Sequence, residues 1–406
     1  MKTRLDPNTG NLVSGGKAIF PLGLSDPPPM DGKTPSGGDA WAEVAGAGIN
    51  FARHYDPWAA SSAAEQMLNV RHKLDTAHKH GMQLWLALAG VDNTLANKPL
   101  LTEIVNEVKG HPGLGVWKGA DEPAHGHIAA KGLVAVVNHV HSLDPDHPLT
   151  IIEAPRDPSV EKGGSDRVLT VGAMRPYTAT CDIHGVDIYP VSVPPGKHAG
   201  RANKDISVVG DVTRILQAAK PTQTIWTTLQ IAWSGVLPPR HQDVFPTLQQ
   251  ARFMAYDAVI AGARGLFFFG GHLRQVMTPQ DRVRGFNWTY WRNVQKPLTQ
   301  ELSGPQHVAA LLAPDAPFDV TASASDIELS ARQTADSIYL IVARRAGSGT
   351  RRVTFHGLPA GIAQGTVLPH GPSNPPRKIT VKSGVFTDAS PYGAHNARVY
   401  RFPRER

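Results

Sequence analysis

The chain has 406 residues, 41% hydrophobic and 18% charged, which supplies apolar material for a large core and argues against disorder. One cysteine, Cys181, excludes an intramolecular disulfide and a cysteine zinc cluster. The net charge of +7 is scattered, with short doublets such as Arg344-Arg345 and Arg351-Arg352, so it reads as a solvated basic surface and not as a nucleic-acid footprint.

No run of apolar residues is long enough for a membrane helix, and no membrane partner is expected. Met1 to Asn11 carries charges and turn residues where a secretory apolar segment would lie, so the expected secreted or periplasmic location implies a signal already removed.

In chain order, Asn11 to Leu24 reads as a hairpin around Gly15-Gly16 that runs into a buried strand, Ala18 to Leu24. Further short apolar runs follow at 49–52, 84–89, 114–117, 149–152, 183–188, 224–229 and 265–269, giving eight in all. Helical spacing separates them, most clearly over 63–80, 129–143, 208–219 and 248–261. Apolar runs without alternation indicate strands buried on both faces, as in a parallel sheet wrapped by helices. Eight such units predict an α/β fold, a closed (β/α)8 TIM barrel over residues 1–303 with the hairpin at its start. The open-sheet rival would place a Gly-rich phosphate loop after the first strand, where Leu24-Ser25-Asp26-Pro27-Pro28-Pro29 stands instead. Beyond Leu302 helical spacing gives way to β-rich runs at 327–330, 337–343, 352–355, 378–381 and 397–402. Residues 304–406 are therefore expected to form an antiparallel β-sandwich domain.

Barrel active sites lie at the C-terminal ends of the strands. Those ends offer Asp26; Arg53, His54 and Asp56; Asp92 and Asn93; Asp121 and Glu122; Glu153; Asp187 and Tyr189; Gln230 and Trp233; and Gly270, Gly271 and His272. Carboxylates gathered at one mouth repel one another and raise some of their proton affinities, as proton transfer requires. Tyr55, Trp58, Tyr189, Trp233, Trp288 and Tyr290 are candidates for stacking on a ligand's ring, or equally for core packing. His54 and His272 could donate to hydroxyls, and Arg53 could pair with Asp26 or Asp56. His125-Gly126-His127 has a metal-hydrolase spacing but falls in the loop after the fourth strand, so no metal or other cofactor is expected.

The fourth-strand sequence Val116-Trp117-Lys118-Gly119-Ala120-Asp121-Glu122-Pro123 resembles the acid/base strand of the retaining (β/α)8 glycoside hydrolases, which ends in Asn/Asp-Glu-Pro. Gly48 to Arg53 and Gly185 to Pro190 are similar to that superfamily's second and sixth strands. The resemblance implies a secreted, bacterial-type glycosidase acting on a poly- or oligosaccharide without a cofactor, with Glu122 as general acid. The family's nucleophile, a Glu ending the seventh strand, is replaced by Gln230, and an amide cannot attack an anomeric carbon.

Three readings stay open. An inverting enzyme would use Asp187 or Glu153 as base across roughly 6.5–9.5 Å, and an atypical retaining one would use Asp187, or Asp56 behind it, as nucleophile at about 5 Å. An inactive barrel would bind glycans, and a metal-dependent hydrolase is a more remote alternative. Arg53, His54, Asp56, Asp121, Tyr189, Gln230, Trp233 and His272 are the expected substrate contacts. Oligomeric state is left open.

Overall fold

The computed structural model describes residues 2–55, 58, 63–156, 169–193, 195–196, 201–232, 245–370 and 374–404. Three short antiparallel strands, β1 (Thr3–Leu5), β2 (Leu12–Ser14) and β3 (Lys17–Ile19), come first. Eight parallel strands then close into a barrel in sequence order: β4 (Leu22–Leu24), β5 (Phe51–His54), β6 (Gln83–Ala87), β7 (Leu114–Asp121), β8 (Leu149–Glu153), β9 (Ile183–Ile188), β10 (Thr224–Gln230) and β11 (Ala263–Phe269). The expected first strand, 18–24, is divided in two at Pro21: β3 completes the hairpin sheet and β4 enters the barrel. A proline, lacking an N–H, suits that break.

The helices between strands are α1 (Ala40–Gly46), α2 (Ala63–Lys79), α3 (Lys98–Val108), α4 (Ala130–Leu143), α5 (Val171–Met174), α6 (Val208–Ala219) and α7 (Leu248–Ile260). After β11 come α8 (Pro279–Arg284), α9 (Trp288–Tyr290) and α10 (Lys296–Leu302). No helix among the described residues is long and apolar enough to cross a membrane.

Side chains fill the barrel. Leu12 from the hairpin joins Phe51, Trp85, Val116, Ile152, Ile183, Trp226 and Phe267 in one buried cluster. The Phe267 ring lies 4.5 Å from Trp85 and 5.0 Å from Trp226, between centroids. Glycines make room for these rings: a Cβ on Gly23 would come within 2.2 Å of Phe267, and one on Gly265 within 2.8 Å of Trp226. Large and small residues thus alternate around the wall, which is how a small barrel becomes a solid core. The cluster also fixes which face each strand residue takes, because neighbours along a strand point to opposite sides.

Sequence spacing suggests no helix beyond Leu302, but α11 (Pro305–Leu312) is present, opening on proline at its first turn as helices commonly do. Two sheets follow. β12 (Thr321–Ala322), β15 (Thr354–His356) and β18 (Val385–Thr387) form one; β13 (Ile327–Gln333), β14 (Ser337–Arg344), β19 (Ala397–Pro403), β16 (Gln364–Val367) and β17 (Arg377–Thr380) form the other. Phe355, Phe386, Tyr400 and Phe402 pack between them.

The outer side of the larger sheet joins the barrel's own core through Tyr339, Ile341 and Val399. Arginines line this seam. Arg345 bonds Asp211 of α6 at 2.6 Å and Glu328 at 2.7 Å, and lies 3.1 Å from the fully buried Asp257 of α7. Burial pushes the pKa of Asp257 up to about 6, against the pull of Arg345. Arg332 gives its guanidinium to the carbonyls of Leu311 (2.6 Å) and Val259 (3.0 Å).

Candidate active site

A cavity of about 210 Å³ opens at the C-terminal end of the barrel, lined by Arg53, Trp85, Asp121, Glu122, Ile152, Asp187, Tyr189, Thr228 and Phe269. Strand parity explains the membership. Phe51, Ile152, Ile183, Trp226 and Phe267 face inward, so Arg53, Asp187, Thr228 and Phe269 face inward one pleat or two pleats nearer the mouth.

The fourth barrel strand departs from regular pairing. Lys118 pairs with Thr150, but Asp121 pairs with Ile152, so β7 carries one extra residue, a bulge that re-aims its end. Directly after it, Glu122 adopts φ +46°, a left-handed conformation that a glutamate does not favour, and its N–H donates to Ile152 O at 2.6 Å. Strain of this kind clusters at functional sites. Residues 123–127 form turns, and α4 starts at Ala130, so Glu122 is not a helix-opening carboxylate.

Three carboxyls meet here in unlike states. Burial raises Glu122, and the nearby Asp121 charge adds to the rise. Burial drives Asp187 well above the usual carboxylate range, and the charges of Glu122 and Asp121 push the same way. Burial also presses on Asp121, but the Lys118 ammonium, 2.8 Å from Oδ1, outweighs it and holds Asp121 low. The charge of Glu122 thus acts on Asp187, and both carboxyls hold a proton to higher pH than is usual for their type.

The Tyr189 hydroxyl donates to Asp187 Oδ2 at 3.0 Å, which supports the carboxylate form of Asp187 when Glu122 carries the proton. Oδ1 of Asp187 is buried and has no hydrogen-bond partner among the described residues.

Other expected contacts are placed differently. Arg53 donates from Nε to Ser25 O (3.0 Å) and lies 3.3 Å from Asp26, with its guanidinium over the rings of Tyr55 and Phe269. His272 Nδ1 sits 3.0 Å from Asp26 Oδ2, beside the Phe269 ring and outside the cavity lining. His54 follows inward-facing Arg53, so it points to the outer side of the barrel and is buried there, away from any hydroxyl in the cavity.

Glu153 follows inward-facing Ile152 and also points outward, fully buried, accepting from Ala124 N at 3.2 Å with His184 at 3.6 Å. It braces the turn after Glu122 and has no access to the cavity as a base. Asp56 and Trp233 lie outside the described residues. Trp58, Trp288 and Tyr290 are core, whereas Tyr55 is exposed at the mouth and Tyr189 lines the cavity.

Gln230 is buried and its amide is fully engaged: Val191 N donates to Oε1 at 2.9 Å, and Nε2 donates to Val191 O at 2.6 Å. Both ends of the side chain match the backbone N–H and C=O of one residue, Val191, a fit that a carboxylate lacks. This clamp fixes the chain just beyond Tyr189. Gln230→Glu is expected to lose roughly 1–3 kcal/mol of stability, read as a lower urea midpoint, and to gain no covalent glycosyl-enzyme with a slow fluorosugar. Mass-spectrometric detection of the sugar on the substituted side chain of the Gln230→Glu protein would show the clamp reading to be mistaken.

Lys118, Trp85, Ile152, Thr228 and Phe269 are not singled out by the sequence patterns. For Lys118 a signal exists: a lone lysine inside an otherwise apolar strand run.

No family model matches the chain, and no curated protein sequence matches it. Solved structures do. A GH30 endoxylanase from Clostridium papyrosolvens superposes over all of both chains with TM-score 0.56 at 10% identity. A family 39 glycoside hydrolase from Bacteroides cellulosilyticus covers 95% of this chain and 81% of its own, with TM-score 0.55 at 11% identity. An Anoxybacillus alpha-amylase covers 96% and 98%, with TM-score 0.55 at 12% identity. The fold is a (β/α)8 barrel of the kind these glycoside hydrolases have. At these identities the likeness carries the architecture, β-sandwich included, and the chemistry has to come from the cavity itself.

Proposed function

We propose that the protein is a glycoside hydrolase acting on a poly- or oligosaccharide, with Glu122 as general acid and Asp187 as the partnering carboxylate. One observation carries this reading: Glu122 and Asp187 line the same small cavity at the catalytic end of the barrel, and the charge of Glu122 raises the proton affinity of Asp187. Glycosidic cleavage needs one carboxyl protonated to release the leaving oxygen and one ionised to stabilise or attack the anomeric carbon. The Tyr189 hydrogen bond favours the ionised role for Asp187. Burial favours the neutral form of both carboxyls, and of Asp187 more strongly, so the division of roles rests on Tyr189 and on the place of Glu122 at the end of the fourth strand. Asp121, ionised against Lys118, and Arg53 are suited to hold sugar hydroxyls, and Tyr55 is suited to stack on a ring at the mouth.

The test is release of sugar from a panel of polysaccharides and aryl glycosides, with NMR of the first anomer to distinguish inversion from retention. Activity requires Glu122 protonated, so the rate is expected to fall as pH rises through a value above the ordinary glutamate range. A rate that is flat from about pH 5 to about pH 8 on an active substrate would remove Glu122 from the acid role.

The amide at Gln230 favours a second reading, a barrel that binds glycans without cleaving them. Saturable binding with no product over long incubation would select it. A secreted or periplasmic setting fits either reading, since many structural glycan polymers lie outside the cytoplasm.

A further inference from the structure

Lys118 is fully buried inside the barrel, between the rings of Tyr55 (5.3 Å) and Trp85 (5.9 Å), and no proton-transfer step in the acid/base scheme uses it. A buried ammonium destabilises a fold unless its charge is answered, because taking it out of water is costly. Here the answer is Asp121, 2.8 Å away, with the buried Asp92 of the loop after β6 close enough for its proton affinity to be lowered by Lys118.

The groups around it can be taken element by element. β5 and its end contribute Arg53 and Tyr55; the loop after β6, Asp92; β7 and its end, Asp121 and Glu122; β9 and its end, Asp187 and Tyr189. From β8 and the residues after it, Arg156 and Glu153 act on Glu122 with opposite sign, the first lowering and the second raising its proton affinity. Across the mouth, Asp26 already pairs with Arg53 and faces His272. Arg53 pairs with Asp26 and also acts on Asp121, and Arg156 acts on Glu122 more strongly than Lys118 does. Lys118 is distinguished by its place, buried on the acid strand itself, four residues before Glu122 and across the bulge.

We propose that Lys118 is a positioning residue for the acid: buried below the mouth and paired with Asp121, it fixes Asp121 at the bulge beside Glu122 and places its side-chain nitrogen on the acid strand, and so shapes how Glu122 and Asp187 share a proton. This rests on the proposed hydrolase only for its consequence in turnover; the electrostatic claim concerns the free protein. Without Lys118, three acidic groups at the mouth would face one another with less compensation, and Glu122 would keep its proton to higher pH. The Lys118–Asp121 pair thus tunes the acid to the pH at which the enzyme works, a task that a neutral side chain of the same length cannot perform.

The test is a pH titration of the Glu122 carboxyl by carbon-13 NMR in protein labelled on glutamate side chains, with the signal assigned by its loss in Glu122→Gln. Lys118→Met and Lys118→Gln are expected to raise the Glu122 midpoint by about one pH unit, a tenfold gain in proton affinity. Lys118→Arg, which keeps the charge, should leave it near wild type. Asp121→Asn should lower it, and Lys118→Met added to Asp121→Asn should raise it again; this pair serves even where an uncharged single Lys118 variant fails to fold, because both buried charges are then gone. A folded Lys118→Met or Lys118→Gln protein with an unmoved midpoint, or a doubly substituted Lys118→Met, Asp121→Asn protein whose midpoint equals that of Asp121→Asn alone, overturns the proposal.

Turnover separates the two claims. On any cleaved substrate, the alkaline limb should follow the NMR midpoint through the series. Shifted midpoints with no substrate cleaved would uphold the role of Lys118 and defeat the hydrolase reading; cleavage with unshifted midpoints would do the reverse.

Discussion

Glu122→Gln is expected to lose at least about 10²-fold in glycan hydrolysis and, at the same time, to melt at a higher temperature than wild type. The first half follows from removing the proton donor for the leaving oxygen, a contribution of roughly 10²–10⁴. The second follows from linkage. Glu122 binds its proton more tightly in the folded state than in the unfolded chain, so the folded state holds more protons in the window between the two affinities. Stability therefore falls as pH rises through that window, and ionised Glu122 destabilises the fold at neutral pH. The neutral amide relieves this, by on the order of 1 kcal/mol for each tenfold difference in proton affinity between the two states, or a few degrees in Tm. The gain should vanish at about pH 3, where wild-type Glu122 is protonated in both states. Calorimetry at that pH and at neutral pH, beside an activity assay, checks both halves. A variant that keeps more than a tenth of the rate, or that gains no stability over wild type on going from acid to neutral pH, defeats the assignment.

Asp187→Asn should be at least as damaging to hydrolysis, about 10²-fold or more, because it removes the charge that answers the developing positive charge at the anomeric carbon. Its effect on stability should have the same sign and be larger, since burial and two neighbouring charges act on Asp187 together. The buried Oδ1 without a partner strengthens this expectation, because an ionised oxygen left so is costly and a neutral group less so. Loss of Asp187 should also relax Glu122. With its charged neighbour gone, Glu122 releases its proton at lower pH, and any residual rate in Asp187→Asn should fall off earlier on the alkaline side than in wild type. A residual profile with an unmoved alkaline limb would mean that the two carboxyls do not share a proton.

The barrel was legible because eight apolar runs separated by helical spacing admit few other architectures, and the closed sheet matches them strand for strand apart from the division at Pro21. The side of the wall that each strand-end residue faces was not legible. In strands buried on both faces, the alternation that normally reports orientation is absent. Glu153 and His54 therefore looked equivalent to Asp187 and Arg53 in sequence, and only the inward-facing cluster of Ile152, Phe51 and Ile183 shows that they face the opposite way.

Gln230 was legible as a departure from the resembling family but not as a clamp, because its partner is the backbone of Val191, which no side-chain pattern reports. The bulge that separates Lys118 from Asp121 was hidden for a similar reason: an extra residue in a strand changes pairing without changing composition. Helix α11 was too short for its periodicity to stand out from the strands that follow.

The arginine seam between barrel and sandwich has a consequence for how such a chain can be divided or diversified. Asp257 lies wholly inside the barrel layer, yet the cation beside it, Arg345, belongs to the sandwich, and Arg252 of the barrel donates across the seam to Ala397 O of β19. A barrel expressed alone would keep Arg214 near Asp257 but lose Arg345, the stronger of its two counter-charges, and a transplanted sandwich would carry Arg345 into its new host without its barrel partners. The portable unit is therefore the whole chain, and homologous exchange between relatives should succeed where the crossover keeps residues 211, 257, 328 and 345 from a single parent.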